Sequence, residues 1–280
     1  MPRSRPYDPT WHALLCPGAA RDFFAAGRPA SELLLCAELA RLAYVGFDRS
    51  PAEAQRAEGL LREAGFDSVR FLSRRGTECF VARDHTARLT VVSFRGTASL
   101  LDLAMDLATW RVRWSAGGRV HAGFACALRP VWGELVHALS HEAHEGSRLV
   151  FTGHSLGAAL ATLAATLMPP AALYTFGSPR VGDARFVELL RDVPFVRTTD
   201  CADLVCHVPP AWLGFAHGGA LTYLDRRGDV HTAADATAIR ADRMIARREY
   251  LRTLAWRIGN ACSRRFADHA PVNYVTPTGM

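Results

Sequence analysis

From residue 148 onward, short apolar runs alternate with stretches that carry small, aliphatic and polar residues at helical spacing. RLVFT (148–152) reads as a buried strand, and SLGAALATLAATLM (155–168) as the helix that follows it. AALYTF (171–176) and VPFVRTT (193–199) are further strands, with DARFVELLRD (183–192) as the helix between them. Continuous apolar strands separated by helices specify a parallel sheet covered on both faces. Upstream, SVRFLS, TECFVAR and RLTVVSF alternate and are joined by RRG and DHTA turns, which predicts a three-stranded meander. Ser31 is placed to cap the helix ELLLCAELARLAYV. Ser50-Pro51 opens a second helix that stops at Gly65. A segment broken at Gly117-Gly118 precedes VHAGF (120–124), which opens a long helix ending near His144. LTYLDRRGDVH predicts a late hairpin, and residues 235–266 one long arginine-rich helix. Residues 1–30 are rich in Pro, Gly and Arg and predict an irregular extension, with a single α/β domain over 31–280.

Composition narrows the chemistry. The 280 residues are 49% hydrophobic and 21% charged, which is enough chain for a sizeable core. The net charge is +6, and all 33 basic residues are arginine. Without lysine there is no Schiff-base lysine, no Walker-A phosphate loop and no Ser–Lys dyad. The arginines are spread among acids along the chain, so no nucleic-acid partner is expected. The seven cysteines have neither CxxC spacing nor an even count, so neither a zinc site nor a disulfide framework is expected. The opening MPRSRPYDPTWHALLCPG has positive charge but no apolar run of leader length, and no stretch reaches 18 apolar residues. Together with the thiols, this predicts a reducing, cytoplasmic location.

The strongest chemical signal is LVFTGHSLGAALATLAA (149–165), in which a strand runs through GHSLG into a helix. A serine in a tight strand-to-helix turn presents its hydroxyl at the carboxyl edge of a sheet. Side chains two residues to either side would collide there, which accounts for Gly153 and Gly157. The helix start offers free N–H groups to an oxyanion, with the Leu156 N–H as first donor. Serine needs a base. In a strand–GxSxG–helix protein the chain order is nucleophile, acid, histidine. After Ser155 the histidines are His207, His217, His231 and His269. His269 lies in a terminal loop able to fold over the sheet edge. Two aspartates, Asp200 and Asp203, follow the VPFVRTT strand, and the residues alone do not separate them.

The motifs LARLAY, VVSFRGT, VHAGF, GHSLGAALATLAA, TFGSPRVGD, DLVCHVPP, FAHGG and HAPVNY occur in that order over roughly residues 35–275. In this the chain resembles the class 3 lipases. The resemblance implies an α/β-hydrolase fold, in which a central, mostly parallel sheet is flanked by helices and a short lid covers the nucleophile. It implies a catalytic Ser155, Asp203 and His269, with Asp203 opening a D-x-V-x-x-x-P-P segment and His269 heading H-x-x-x-x-Y. It also implies Thr97 as second oxyanion donor beside Leu156, and Asp106 as a supporting residue.

Within ASLLDLAMDLATWRVRW (98–114), Leu100, Leu103, Leu107, Trp110 and Trp114 fall on one helical stripe, and Leu100, Leu103, Leu107 and Trp110 become the candidate lid and substrate contacts. The family pattern usually has tryptophan where this chain has Leu103. The expected activity is serine carboxylic ester hydrolysis of lipid acyl esters through an acyl-enzyme on Ser155, without metal or organic cofactor. Phospholipase A1-type or thioester hydrolysis is the nearest alternative, and a non-catalytic lipid-binding protein the alternative of another class. Expected partners are a lipid or small acyl-ester substrate and a membrane surface touched transiently.

Overall fold

The computed structural model describes residues 7–20, 22–96, 110–141 and 146–275. Eight strands form one sheet: β1 (Ser68–Arg74), β2 (Thr77–Asp84), β3 (Leu89–Phe94), β6 (Arg148–His154), β7 (Ala172–Phe176), β8 (Phe195–Asp200), β9 (Ala220–Leu224) and β10 (Val230–His231), in the spatial order β1-β2-β3-β6-β7-β8-β9-β10. β4 (Arg111–Arg113) and β5 (Arg119–His121) pair separately. The stretch from β3 to β9 is parallel, and the meander β1-β2-β3 and the hairpin β9-β10 are antiparallel extensions at either end.

Period-two alternation divides the core into two layers. Cys79, Val81, Val92, Phe94, Phe151 and Leu173 face the helices Ala122–His141 and Leu156–Leu167. Their neighbours Phe80, Ala82, Val91, Val150 and Ala172 face the helices Glu32–Leu42 and Pro51–Glu63. Helix Glu32–Leu42 is tied to the sheet by two buried hydroxyls: Ser93 Oγ donates to the Leu39 carbonyl at 3.0 Å and Thr152 Oγ1 to the Cys36 carbonyl at 3.2 Å. The helix therefore ends with Tyr44 against the top of β6. The Pro51 helix starts where its cap chemistry specifies, with Ser50 Oγ accepting from the Glu53 N–H.

Four local expectations are revised. The predicted helix over 235–266 divides into Ala236–Thr253 and Arg264–Ala267. Between them Gly259 adopts φ +88°, and the chain pairs with the N-terminal segment through the Thr10–Asn260 bridge and the Ala261 N–H to Pro9 carbonyl bond. Tertiary pairing there overrides helical periodicity. The helix predicted over 183–192 is short, Ala184–Glu188. Residues 111–113 are a strand, so the helical stripe does not extend to Trp114, whose Nε1–H donates to Thr166 Oγ1 at 2.8 Å. The N-terminal segment is irregular except for one turn of helix, Trp11–Leu15, capped by Thr10; its Ala13 and Leu14 join the main core.

That segment also holds the loop after the last helix. Asp8 and Asn273 exchange hydrogen bonds at 2.9 and 2.8 Å. Tyr7 donates to Asp268 Oδ1 at 2.6 Å. The other Asp268 oxygen accepts from the Ala202 N–H at 2.9 Å and pairs with Arg264 at 3.0 Å, with both side chains fully buried. Asp268 thus joins the loop after β8 to the loop after the last helix. Arg264→Leu leaves a buried carboxylate without its cation and is expected to cost about 3–5 kcal/mol. Denaturant unfolding measures this, and Arg264→Leu/Asp268→Leu should recover much of the loss.

Candidate active site

The parallel edge of the sheet converges on Ser155. β6 runs to His154, Ser155 takes φ +59° and ψ −124°, and the helix begins at Leu156. That backbone conformation is strained for a residue with a side chain. It persists because close packing leaves no alternative. A Cβ on Gly153 would overlap the Gly157 backbone, and one on Gly157 would overlap the Phe94 carbonyl. These contacts press the first turn of the helix onto the end of β3, where Phe94 stands opposite Gly153 in register. The Ser155 N–H is held by the Phe176 carbonyl at 3.0 Å. As the first helical residue, Leu156 keeps an N–H with no intrahelical acceptor at the same edge.

Two loops supply the partners. His269 Nε2 lies 2.9 Å from Ser155 Oγ, and its Nδ1 lies 2.9 and 2.8 Å from the two oxygens of Asp203. All three residues are buried, with 0% of Ser155 and 2% of His269 exposed. Asp203 Oδ1 also accepts from the Val205 N–H at 2.8 Å, and Oδ2 from Tyr274 Oη at 2.5 Å. Tyr274 Oη in turn accepts from the Asp200 N–H at 3.1 Å. The two aspartates therefore part company: Asp203 reaches the imidazole, and Asp200 contributes a backbone donor one step back. Burial alone would raise the Asp203 pKa, but the charge of His269 and the hydrogen bonds from His269 and Tyr274 outweigh it and hold the carboxyl below its ordinary range. The acid is therefore ionised and aimed at Nδ1, so Nε2 is left to face the serine.

A second imidazole backs the first. His154 packs on His269 with ring centroids 4.5 Å apart, and its Nδ1 lies 2.8 Å from Tyr44 Oη. Burial, then the neighbouring His269, push the His154 pKa well below its usual value. The ring therefore stays neutral and does not oppose a positive charge forming on His269. Gly177 completes this layer. With φ +56°, it passes so close that a Cβ would stand 2.9 Å from Asp203 Oδ2 and 3.1 Å from His269 Cε1. Tyr44, His154 and Gly177 were not singled out by sequence reasoning. A glycine directly after β7, at the edge where β6 ends in the elbow, was the one available signal of a close approach.

The other candidates lie elsewhere. His217 Nε2 bonds to the Cys206 carbonyl at 2.8 Å, His231 faces Asp225 at 3.2 Å, and His207 lines a separate cleft. Thr97, Leu100, Leu103, Asp106 and Leu107 lie outside the described residues, whereas Trp110 is 82% exposed. Among the described residues no group of three or more His, Cys, Asp or Glu could hold a metal ion.

Several known proteins are similar to this chain. Residues 91–212 match the model of the family described as lipase (class 3). A lipase of Rhizomucor miehei is 34% identical over 158 residues, 51% of this chain and 44% of the relative. Secreted mono- and diacylglycerol lipase 1 of Fusarium solani is 34% identical over 164 residues, 55% of this chain and 49% of the relative. The chain thus spans about half the length of the curated relatives it matches. Lipase II from Rhizopus niveus superposes with a TM-score of 0.59 at 24% identity, over 70% of this chain and 82% of that one. The shared architecture is the α/β-hydrolase fold. The relatives also overturn the cytoplasmic expectation, because the Fusarium protein is a secreted one. All seven cysteines are free, but Cys36, Cys79, Cys201 and Cys206 are buried. Burial pushes those four thiols up in pKa, and inert thiols carry no information about compartment.

The buried histidines predict acid sensitivity. His154 binds a proton less readily in the folded chain than its unfolded value of about 6.5 allows, and His207 is lowered to about 4 by burial and then by Arg243. Below about pH 6.5 the unfolded chain binds more protons, so stability falls with pH. The stability linked to Asp203 is present above about pH 3.9 and is lost below it. Melting temperatures from pH 8 to pH 4 should be flat at first and then decline below about 6.5. The His154→Asn variant, measured relative to its own pH 8 value, should decline less steeply.

Proposed function

We infer that this chain, whose residues 91–212 carry the match to the class 3 lipases, is a serine carboxylic ester hydrolase that cleaves acyl esters of lipids. The observation that carries the reading is the hydrogen-bonded series Ser155–His269–Asp203 set on a strained elbow beside a helix N-terminus. A turn with no chemical role has no reason to bury a charged carboxylate, an imidazole and a serine in line.

In the proposed reaction His269 Nε2 takes the Ser155 proton as Oγ attacks the acyl carbonyl. Asp203 holds the Nδ1–H tautomer and stabilises the imidazolium. The Leu156 N–H and the Thr97 N–H receive the oxyanion; one such donor is worth about 3–4 kcal/mol. His269 then protonates the leaving alcohol, and the acyl group stays on Ser155. Water attacks this ester with His269 again as base, releasing the carboxylic acid and restoring the serine. Neutral His154 limits charge repulsion while the imidazolium exists, and Tyr274 steadies its counter-ion.

The substrate class follows from the relatives, among them a mono- and diacylglycerol lipase, and from the closed site. Ser155 has no exposed surface, so an acyl chain reaches it only after local opening. We propose Leu100, Leu103 and Leu107 as lid and substrate-contact residues, with Asp106 as a supporting residue. Trp110 and Trp212, each 82% exposed, are the proposed points of transient contact with a lipid surface. Arg111, next to Trp110, donates to the Gly214 carbonyl at 3.2 Å, which links the two rims.

A fluorophosphonate probe should label Ser155 in the folded protein, and hydrolysis of acyl esters from C2 to C18 should fall about 10⁴–10⁶-fold in Ser155→Ala. Absence of labelling would sink the reading. Tyr274→Phe removes one hydrogen bond to a buried anion and should lower kcat roughly tenfold with little change in KM. An unchanged kcat would remove Tyr274 from the machinery.

A further inference from the structure

On the helix Ala236–Thr253, the positions Arg240, Arg243, Met244, Arg247 and Arg248 recur at i, i+3, i+4, i+7 and i+8. That spacing ordinarily marks an apolar stripe. Here it carries four arginines and lines one side of a cleft of about 470 Å³. Arg265, from the next helix, and His207, from the loop after Asp203, contribute as well.

No carboxylate lines this cleft, and the nearby acids are committed elsewhere. Asp242 pairs with Arg226 at 2.7 Å, Glu249 with Arg226 at 3.6 Å, and Asp268 with Arg264 at 3.0 Å. Among the described residues none of the five cleft arginines has an ion-pair partner. Two buried nitrogens, Arg247 Nε and His207 Nε2, have no hydrogen-bond partner. Leaving such groups unsatisfied is unfavourable. Burial first, then Arg265 and Arg243, lower the Arg247 pKa. Arg243 is fixed in place, with its Nε donating to the Cys201 carbonyl at 2.7 Å and its guanidinium 5.7 Å from the Tyr223 ring centroid. A strained concentration of cations around a concave space is relieved by an anion.

We propose that this cleft is a binding site for a phosphate monoester group. Arginine forks match phosphate oxygens two at a time. Five cations exceed what one carboxylate would neutralise, whereas a phosphate monoester carries about −1.5 to −2 at neutral pH. The volume exceeds that of a phosphate alone, and Met244 and Leu204 supply an apolar wall for what the phosphate is attached to. Either a soluble phosphate ester or the headgroup of an anionic lipid presents this group. The cleft reaches the site described above through the chain itself: Leu204 follows Asp203, and Arg265 lies four residues before His269.

The test reads binding and is independent of ester hydrolysis. Glycerol 3-phosphate is titrated into the full chain by calorimetry. In parallel, sedimentation compares vesicles of phosphatidylcholine with and without phosphatidic acid. The expected result is saturable binding to glycerol 3-phosphate, to the phosphatidic acid vesicles, or to both, weakened at least tenfold in Arg247→Gln/Arg265→Gln. Arg56→Gln/Arg62→Gln, which removes the same charge from a remote helix, should bind like wild type. Arg247→Lys/Arg265→Lys, which keeps charge but loses the forks, should fall between them. Binding of glycerol 3-phosphate identifies a soluble ester as a sufficient ligand, and binding to vesicles alone identifies the lipid headgroup. Absence of binding to both probes, or equal weakening in the cleft and remote variants, overturns the proposal.

Discussion

The constraint on which the rest depends is the contact between two glycines and a strand end. Ser155 holds φ +59° because Gly153 and Gly157 let β6, the following helix and the end of β3 approach more closely than any side chain allows. This one approach does three things. It turns the serine hydroxyl out of the sheet, aims the helix start at the same place, and brings the Phe94–Gly96 turn alongside. A Cβ at Gly96 would itself overlap Tyr44 and the His154 carbonyl, so the same close packing extends to the helix on the opposite face.

Around that point the problem is electrostatic. A buried carboxylate, two imidazoles in tilted contact and two buried phenols share one small volume. The arrangement is tolerable because the groups packed around the Asp203–His269 pair stay uncharged. Burial pushes the hydroxyls of Tyr44 and Tyr274 up in pKa and His154 down, so all three remain neutral hydrogen-bonding groups. Asp203 collects donors from His269, Tyr274 and Val205, enough to keep it ionised without water. Its loop is anchored in turn by Asp268, Arg264 and Tyr7, so residues at the two ends of the chain meet beneath one histidine.

Arginine serves the molecule in two distinct ways. Arg264 and Arg41 are buried and matched to carboxylates, and they fasten segments together. Arg240, Arg243, Arg247 and Arg248 have no carboxylate partner among the described residues and gather about a cavity. Uniform use of arginine in the sequence conceals this difference, because pairing depends on which acids the fold brings near.

Some of this was legible from residue order alone. Strand periodicity and the small residues around Ser155 were sufficient to specify a parallel sheet and an elbow, because both are local consequences of steric size and hydrophobic pattern. Nucleophile, acid and histidine could be nominated in order, but the choice between Asp200 and Asp203 required the family pattern, and the distances appear only in the fold. Two residues, Cys201 and Ala202, separate the aspartates, and the turn they make decides which carboxylate faces His269. The break in the predicted helix over 235–266 likewise came from the N-terminal segment, 240 residues or more away in the chain. The neutral backing of His154 and the anchoring by Asp268 were invisible for the same reason. Local sequence determines which shapes each segment can take and which groups it offers. Charge state, pairing and burial belong to contacts between distant segments, and only the tertiary structure brings those segments together.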